Sequence, residues 1–271
     1  MSNSFEGSSP ELSKLNIEEG DEKEFTPEEM REKLRDPSFL PFYSQLSQHF
    51  ENVGGNGFDP EWKKWRDFCW NNEHIFEIWT KEYIHAFVSY LAKRVEELGG
   101  TKEFPTVILE VGAGNGRLTH FLSEKLNELI PGKVKIIASD SGGWGISPTF
   151  PVENIPHNEA LVKHKPKIVI FSWMPYEYDC TDDFRSTKSI DEYILIGETD
   201  GGCCGDGWKT WGSSWSFNEE EKKQRENQLP PYKADGFERV DHDELRDLQL
   251  SRINIQDGDS TTKTVSFKRK K

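Results

Sequence analysis

Between residues 106 and 197, short aliphatic and β-branched runs alternate with stretches whose apolar positions recur every three or four residues. This is the pattern of strands separated by helices. Residues 106–111 (TVILEV) read as a strand running into Gly112-Ala113-Gly114-Asn115-Gly116, residues 118–130 as an amphipathic helix closed by Pro131-Gly132, and residues 134–139 as the next strand, ending at Asp140. The alternation continues with a weak strand near 149–153, a helix near 158–164 and an apolar run over 167–171. Thr181-Asp182-Asp183 then caps a short helix before a strand over 192–197. Five strands separated by helices predict a doubly wound, mostly parallel α/β sheet, because parallel neighbours need crossover connections. Residues 250–256 and 264–268 flank the turn-rich Asp257-Gly258-Asp259-Ser260, which predicts a C-terminal antiparallel hairpin at the end of the sheet.

The first hundred residues follow a different pattern. Residues 1–25 show no hydrophobic period and are expected to be a disordered tail. Thr26-Pro27-Glu28-Glu29 has the form of a helix start, with Thr26 as N-cap and Pro27 at the first helical position, and that helix should end near Asp36-Pro37. Gly54-Gly55-Asn56-Gly57 reads as a loop. Asp59-Pro60-Glu61 then opens a second helical stretch carrying Trp62, Trp65, Phe68 and Cys69. From Ile75 to Leu98 the apolar positions recur mostly at three and four, describing one buried helical face that Gly99-Gly100 stops. The expected organisation is therefore a tail (1–25), an N-terminal helical addition (26–100) that is either a lid or a packing layer, and a Rossmann-like domain (101–271).

Composition narrows the partners. With 34 Lys and Arg against 48 Asp and Glu the chain carries a net charge of −14, so duplex nucleic acid and anionic membranes are not expected partners. Nine Trp, seventeen Phe and seven Tyr are too many aromatics for a disordered acidic chain. The four cysteines, Cys69, Cys180, Cys203 and Cys204, form no CxxC, and no His cluster has metal-ligand spacing, so no metal site is expected. No secretory stretch opens the chain and no apolar run approaches the roughly 18 residues that span a bilayer. The expected location is the cytoplasm, with the nucleus also compatible. The adjacent Cys203-Cys204 reads either as a reactive pair or as two reduced small residues in a Gly-rich loop.

Glu110-Val111-Gly112-Ala113-Gly114-Asn115-Gly116 follows a strand and opens a helix, the setting in which glycines let backbone approach a nucleotide. A dinucleotide fingerprint needs glycine at 117, where this chain has Arg117. The E-x-G-x-G-x-G pattern instead resembles motif I of class I S-adenosylmethionine-dependent methyltransferases. The likeness extends as a pattern of elements over residues 104–268 and implies a seven-stranded sheet finished by the final antiparallel hairpin. It implies S-adenosyl-L-methionine as cofactor, S-adenosyl-L-homocysteine as product, and a small-molecule or protein methyl acceptor. By that resemblance the loop of Gly112, Ala113, Gly114 and Gly116 cradles the amino acid part of the cofactor and Glu110 helps fix its amino group. Asp140, followed by Ser141, holds the ribose hydroxyls, and Glu153 or Asn154 contacts the adenine. A carboxylate accepts two hydrogen bonds from a vicinal diol without strain, which independently suits Asp140 to its place.

The fourth strand ends as Phe171-Ser172-Trp173-Met174-Pro175-Tyr176. In the resembled family this strand end faces the transferred methyl, and Ser172 to Pro175 is similar to the [D/N/S]-P-P-[Y/F/W] element of N-methyltransferases, with the first proline replaced by Trp173 and the second displaced. Ser172, Trp173 and Tyr176 are thus expected to line the acceptor site, Ser172 and Trp173 also touching the cofactor. After the fifth strand, the Gly-rich stretch 198–215 carries Trp208, Trp211 and Trp215 with Asp200 and Asp206, near Glu177 and Asp179. These residues suit an aromatic, acidic pocket for a cationic amine, or equally an aromatic anchor for a long loop. His74, His120, His157 and His242 are candidate bases but read as structural, so no general base is assigned. Methyl transfer to an amine leads. Oxygen methylation, nicotinamide-dependent oxidoreduction and a non-catalytic cofactor-binding subunit are the alternatives.

Overall fold

The computed structural model describes residues 24–46, 60–251 and 262–271. The expected tail up to residue 23, the glycine loop at 54–57 and residues 252–256 of the expected hairpin lie outside the described residues.

Helix α1 (Pro27–Arg35) begins as its sequence dictates: Thr26 Oγ1 accepts from Glu29 N at 3.3 Å and the Glu29 carboxylate accepts from Thr26 N at 2.9 Å. Helix α2 (Pro60–Asp67) runs into a π-helical turn over Phe68–Asn72. The helix expected from Ile75 starts later. Helix α3 spans Lys81–Glu97, because the Thr80 hydroxyl accepts from Tyr83 N at 3.1 Å and caps the first turn there. Residues 75–79 are extended instead, pinned to the C-terminal region by Ile78 N donating to Leu250 O at 2.8 Å and by a bridge between Glu77 and Ser251.

The α/β region follows as β1 (Thr106–Val111), α4 (Arg117–Leu129), β2 (Val134–Asp140), β3 (Glu153–Asn154), α5 (His157–His164), β4 (Ile168–Ser172), α6 (Thr181–Ser186) and β5 (Glu192–Glu198). Helices α7 (Glu219–Glu226) and α8 (Pro231–Ala234), strand β6 (Phe237–Asp241), helix α9 (Asp243–Arg246) and strand β7 (Thr262–Arg269) complete it. The seven strands form one sheet in the order β3-β2-β1-β4-β5-β7-β6, with β7 antiparallel to both neighbours and the other pairs parallel. This is the sheet implied by the sequence resemblance, and its final antiparallel pair is present. Among the described residues β7 pairs on its outer side with Phe237–Asp241. Tyr193, Phe237 and Phe267 support that pairing: the Tyr193 ring stacks on Phe267 at 4.6 Å and meets Phe237 at 5.3 Å, an aromatic cluster across three strands.

Alternation along the parallel strands builds two cores. Ile108, Ile168, Ile170, Ile194 and Ile196 face α3 and α4, whereas Leu109, Val111, Val169, Phe171, Tyr193 and Leu195 face α5 and α6. Helix α3 sends seven buried side chains into the first core, and each large apolar one contributes roughly 1.5–3 kcal/mol on burial. The Arg94 Nε–Glu192 Oε2 pair at 2.5 Å ties α3 to β5. A third cluster of Met30, Leu34, Leu46, Trp65, Phe68, Ile75 and Ile78, with Leu250, holds α1, α2 and the extended 75–79 strap together.

Candidate active site

In doubly wound sheets ligands bind beyond the strand C-termini where strand order reverses. Here that point lies between β1 and β4, and a cavity of about 690 Å3 opens there. Its volume suits a nucleoside-sized ligand with an acceptor beside it. It is lined by the glycine loop, Asp140 and the segment after β2, and by the 74–79 strap and the end of β4.

The loop glycines are needed for different reasons. Gly112, Gly114 and Gly116 all have positive φ (62°, 55° and 81°), which side chains rarely adopt. A Cβ on Gly112 would stand 2.5 Å from the Phe171 ring, and one on Gly116 2.7 Å from Val152 Cγ2, so both are also excluded by packing. At Gly114 a Cβ would meet only Ile146, at 3.6 Å, so that glycine keeps the cavity side of the loop open. Asp140 staples the loop: its Oδ2 accepts from Gly114 N at 2.9 Å and its Oδ1 from Gly142 N at 2.7 Å. Each oxygen can accept a further hydrogen bond, and Asp140 and Ser141 line the cavity.

Glu110 is buried, and its Oε2 accepts from Thr119 N at 3.0 Å and Thr119 Oγ1 at 2.5 Å. Burial, with a smaller push from Asp140, raises its carboxyl to about 7 against the hydrogen bonds from Thr119. Glu110, Gly112, Ala113 and Gly114 line the cavity. So does Arg117, the residue that breaks the dinucleotide pattern. Its guanidinium is buried and donates to Phe39 O at 2.5 Å, while its Nε has no hydrogen-bond partner. Burial lowers its pKa to about 10, opposed by the Asp36 charge.

Glu153 stands elsewhere. Its carboxylate pairs with Lys163 Nζ at 2.9 Å and His164 Nε2 at 2.8 Å, and neither it nor Asn154 is among the residues lining the cavity. The outer wall comes from Trp144, Ile146, Pro156 and His157.

Ser172, Trp173 and Tyr176 do line the cavity. Trp173 is held at φ 57°, a strained conformation for a bulky residue, by its N–H donating to Ile196 O at 2.7 Å. That twist delivers its indole Nε1 to Glu77 Oε2 at 2.9 Å. Glu77 and Phe76, from the segment expected to be helix, are site residues that periodicity concealed. The one signal for them is Thr80, a helix N-cap residue that starts α3 after the strap.

The expected cation pocket on the Trp-rich loop does not form. Trp211 is fully buried and donates from Nε1 to Cys204 O at 2.6 Å, Trp208 lies outside the cavity lining, and Trp215 meets Phe217 at 4.4 Å. Three of the four acids have partners within the fold. Asp200 pairs with Arg239 at 2.6 Å, Asp206 accepts from Trp208 N and Lys209 N, and Asp179 accepts from Thr181 and Thr210 hydroxyls. The loop is therefore an anchor, and only the exposed Cys203 of this stretch reaches the cavity. His120 stacks on Phe150 at 3.9 Å, and His242 is buried between Ser266 and Glu244. His157 lines the cavity with Nε2 2.7 Å from Asp183 Oδ2, and His74 lines it at an exposed position. Among the described residues no group of three or more His, Cys, Asp or Glu is placed to hold a metal ion, and no helix is long and apolar enough to cross a membrane.

No protein-family model matches the chain, and no curated protein matches it. Among solved structures it is similar to the DszA carbon methyltransferase (14% identity, 83% of this chain, 57% of that chain, TM-score 0.37). It is also similar to a SAM-dependent O-methyltransferase from Thermotoga maritima (10% identity, 76% of this chain, 72% of that chain, TM-score 0.36). A third is the plantazolicin methyltransferase BpumL in complex with SAH (11% identity, 90% of this chain, 99% of that chain, TM-score 0.33). The chain thus spans a little over half the length of the first of these.

Proposed function

We propose that the protein is an S-adenosylmethionine-dependent methyltransferase whose acceptor is an amine nitrogen of a small molecule or of a protein side chain. The observation that carries this is the glycine loop kept open at Gly114 and stapled to Asp140 over a 690 Å3 cavity at the sheet's switch point. The residues present fit the cofactor. Asp140 offers acceptors for a ribose diol, the open loop offers backbone to the amino acid portion, and Arg117 with its unpartnered Nε suits that portion's carboxylate. When bound, S-adenosylmethionine supplies a sulfonium methyl, which an acceptor lone pair takes while the S–C electron pair stays on sulfur. The chain's part is to exclude water and to align the acceptor with that carbon, catalysis chiefly by positioning. Ser172 at the end of β4 and the aromatic rings of Phe76 and Trp173 form that acceptor side. Trp70 and the 74–79 strap serve as the wall over the acceptor, and the four free cysteines suit a reducing compartment such as the cytoplasm.

Titration calorimetry with S-adenosylmethionine, S-adenosylhomocysteine and NAD(H) tests the assignment. Saturable binding of the first two is expected, and binding of NAD(H) alone would overturn it. A tritiated-methyl transfer assay against fractionated cell extract then separates an enzyme from a non-catalytic binding subunit, and amine acceptors from hydroxyl ones.

A further inference from the structure

The acceptor end of the cavity holds a carboxylate that no motif announced. Glu77 is 6% exposed, and its two oxygens accept from Trp173 Nε1 at 2.9 Å and from Gln249 Nε2 at 3.3 Å. Both donors are neutral, and no ion pair or cationic neighbour acts on it among the described residues. Its orientation is fixed from behind: Gln249 Oε1 accepts from Thr264 Oγ1 at 2.8 Å, and Thr264 Oγ1 pairs with Tyr83 OH at 2.7 Å, joining β7 to α3. A buried carboxylate without a cation is costly, and a cation sealed over it recovers that cost.

Aromatic faces surround the same place. The Phe76 ring lies 5.8 Å from Trp173 and 6.5 Å from Trp144, edge-on to the latter. Of the nine exposed large hydrophobic residues among those described, four, Trp70, Trp144, Tyr176 and Tyr178, line this one cavity. Exposed aromatics gathered at one mouth mark a binding surface, and aromatic faces attract an ammonium as well as a flat ring.

We propose, building on the amine-methyltransferase assignment above, that Glu77 is the acceptor's ammonium subsite and its proton acceptor, and that the acceptor is an arylalkyl amine whose ring lies among Phe76, Trp144 and the rim. In the proton step one N–H bond of R–NH3+ breaks, its electron pair stays on nitrogen as the nucleophilic lone pair, and the proton bonds to Glu77 Oε. The pair passes from ammonium and carboxylate to amine and carboxylic acid, net charge zero throughout. The low-dielectric site favours that neutral pair over the charged one. Burial pushes the Glu77 carboxyl up to about 8, which makes it a better proton acceptor than an ordinary carboxylate. A hydroxyl acceptor brings no positive charge to hold the Glu77 carboxyl ionised, whereas an ammonium does, so the site discriminates amine from alcohol.

The test uses the full chain saturated with S-adenosylhomocysteine at pH 8. It is titrated with benzylamine, phenethylamine and tryptamine, and with benzyl alcohol and 2-phenylethanol as neutral matches, by calorimetry and by quenching of tryptophan fluorescence. At least one amine is expected to saturate, with its alcohol match at least tenfold weaker. Glu77→Gln should lower amine affinity at least tenfold while S-adenosylhomocysteine affinity stays within twofold. Trp144→Ala, a change at an exposed position, should weaken the amine at least threefold and guards against misfolding of the first variant. Equal binding of amine and alcohol, unchanged amine affinity in Glu77→Gln, or no binding of any of the three amines overturns the proposal. If S-adenosylhomocysteine binds normally in those cases, the methyltransferase assignment stands; if it does not bind at all, both fall.

Discussion

Replacing Glu77 by glutamine should change how stability depends on pH, and the size follows from its burial. Desolvation raises this carboxyl from an ordinary 4.5 to about 8, against the hydrogen bonds from Trp173 and Gln249. Between those values the folded chain holds a proton that the unfolded chain releases, so stability falls as pH rises through the window and is flat above it. Each pH unit is worth about 1.4 kcal/mol, so the full span costs about 5 kcal/mol, of which about 4 falls between pH 5 and 9. Glutamine does not titrate, and the variant should lose that slope. Its amide faces two donors, and the conflict resolves if Gln249 turns its amide over, giving its N–H2 to Thr264 Oγ1, which can itself donate to Tyr83. Glu110, raised by burial to about 7, slopes the same way in both proteins and cancels from their difference. Urea unfolding of wild type and Glu77→Gln at pH 5, 7 and 9 measures this. The variant should gain about 4 kcal/mol on wild type from pH 5 to pH 9 at unchanged m-value. A difference constant to within about 1 kcal/mol would refute a buried, uncompensated carboxylate at this position.

Gly114→Leu should abolish S-adenosylhomocysteine binding in calorimetry, because its side chain enters the space the loop keeps open. The fold should survive with a loss of about 1–2 kcal/mol, the cost of the left-handed backbone at φ 55°. Asp140→Ala removes the acceptors that staple Gly114 and Gly142 and that the proposed reading gives to the ribose, and should weaken the same binding by about 1–3 kcal/mol. Trp211→Ala should lower unfolding free energy by about 3–5 kcal/mol while cofactor affinity stays unchanged, and Trp208→Ala should leave that affinity unchanged too, since both residues stand outside the cavity lining. A specific loss of turnover in either without a fall in melting temperature would return the Trp-rich loop to the site.

Local chemistry made much of this chain legible in its sequence. The Ile and Val runs that alternate between two cores, the Thr26 capping box, and the glycine loop between β1 and α4 are all properties of neighbouring residues. Asp140 was legible for a related reason: a residue at the end of β2, paired in register with β1, stands beside the loop that ends β1. Glu153 shows the limit of that logic. It occupies the expected strand position, yet Lys163 and His164 on the following helix draw its carboxylate away.

What the amino-acid sequence determined alone was therefore most of the element types, the parallel sheet and the glycine loop after β1, because strand period, caps and positive-φ glycines act over a few residues. Tertiary structure decided the rest. Ile75, Ile78 and Trp79 have helical spacing, but hydrogen bonds to Leu250 and Ser251 hold them extended. The pairing of β6 with β7 is backed by aromatic packing across three strands that are distant in sequence. Glu77 meets Trp173 across 96 residues of chain. No local pattern encodes such a contact, since it exists only once two separate layers have packed and closed the cavity between them.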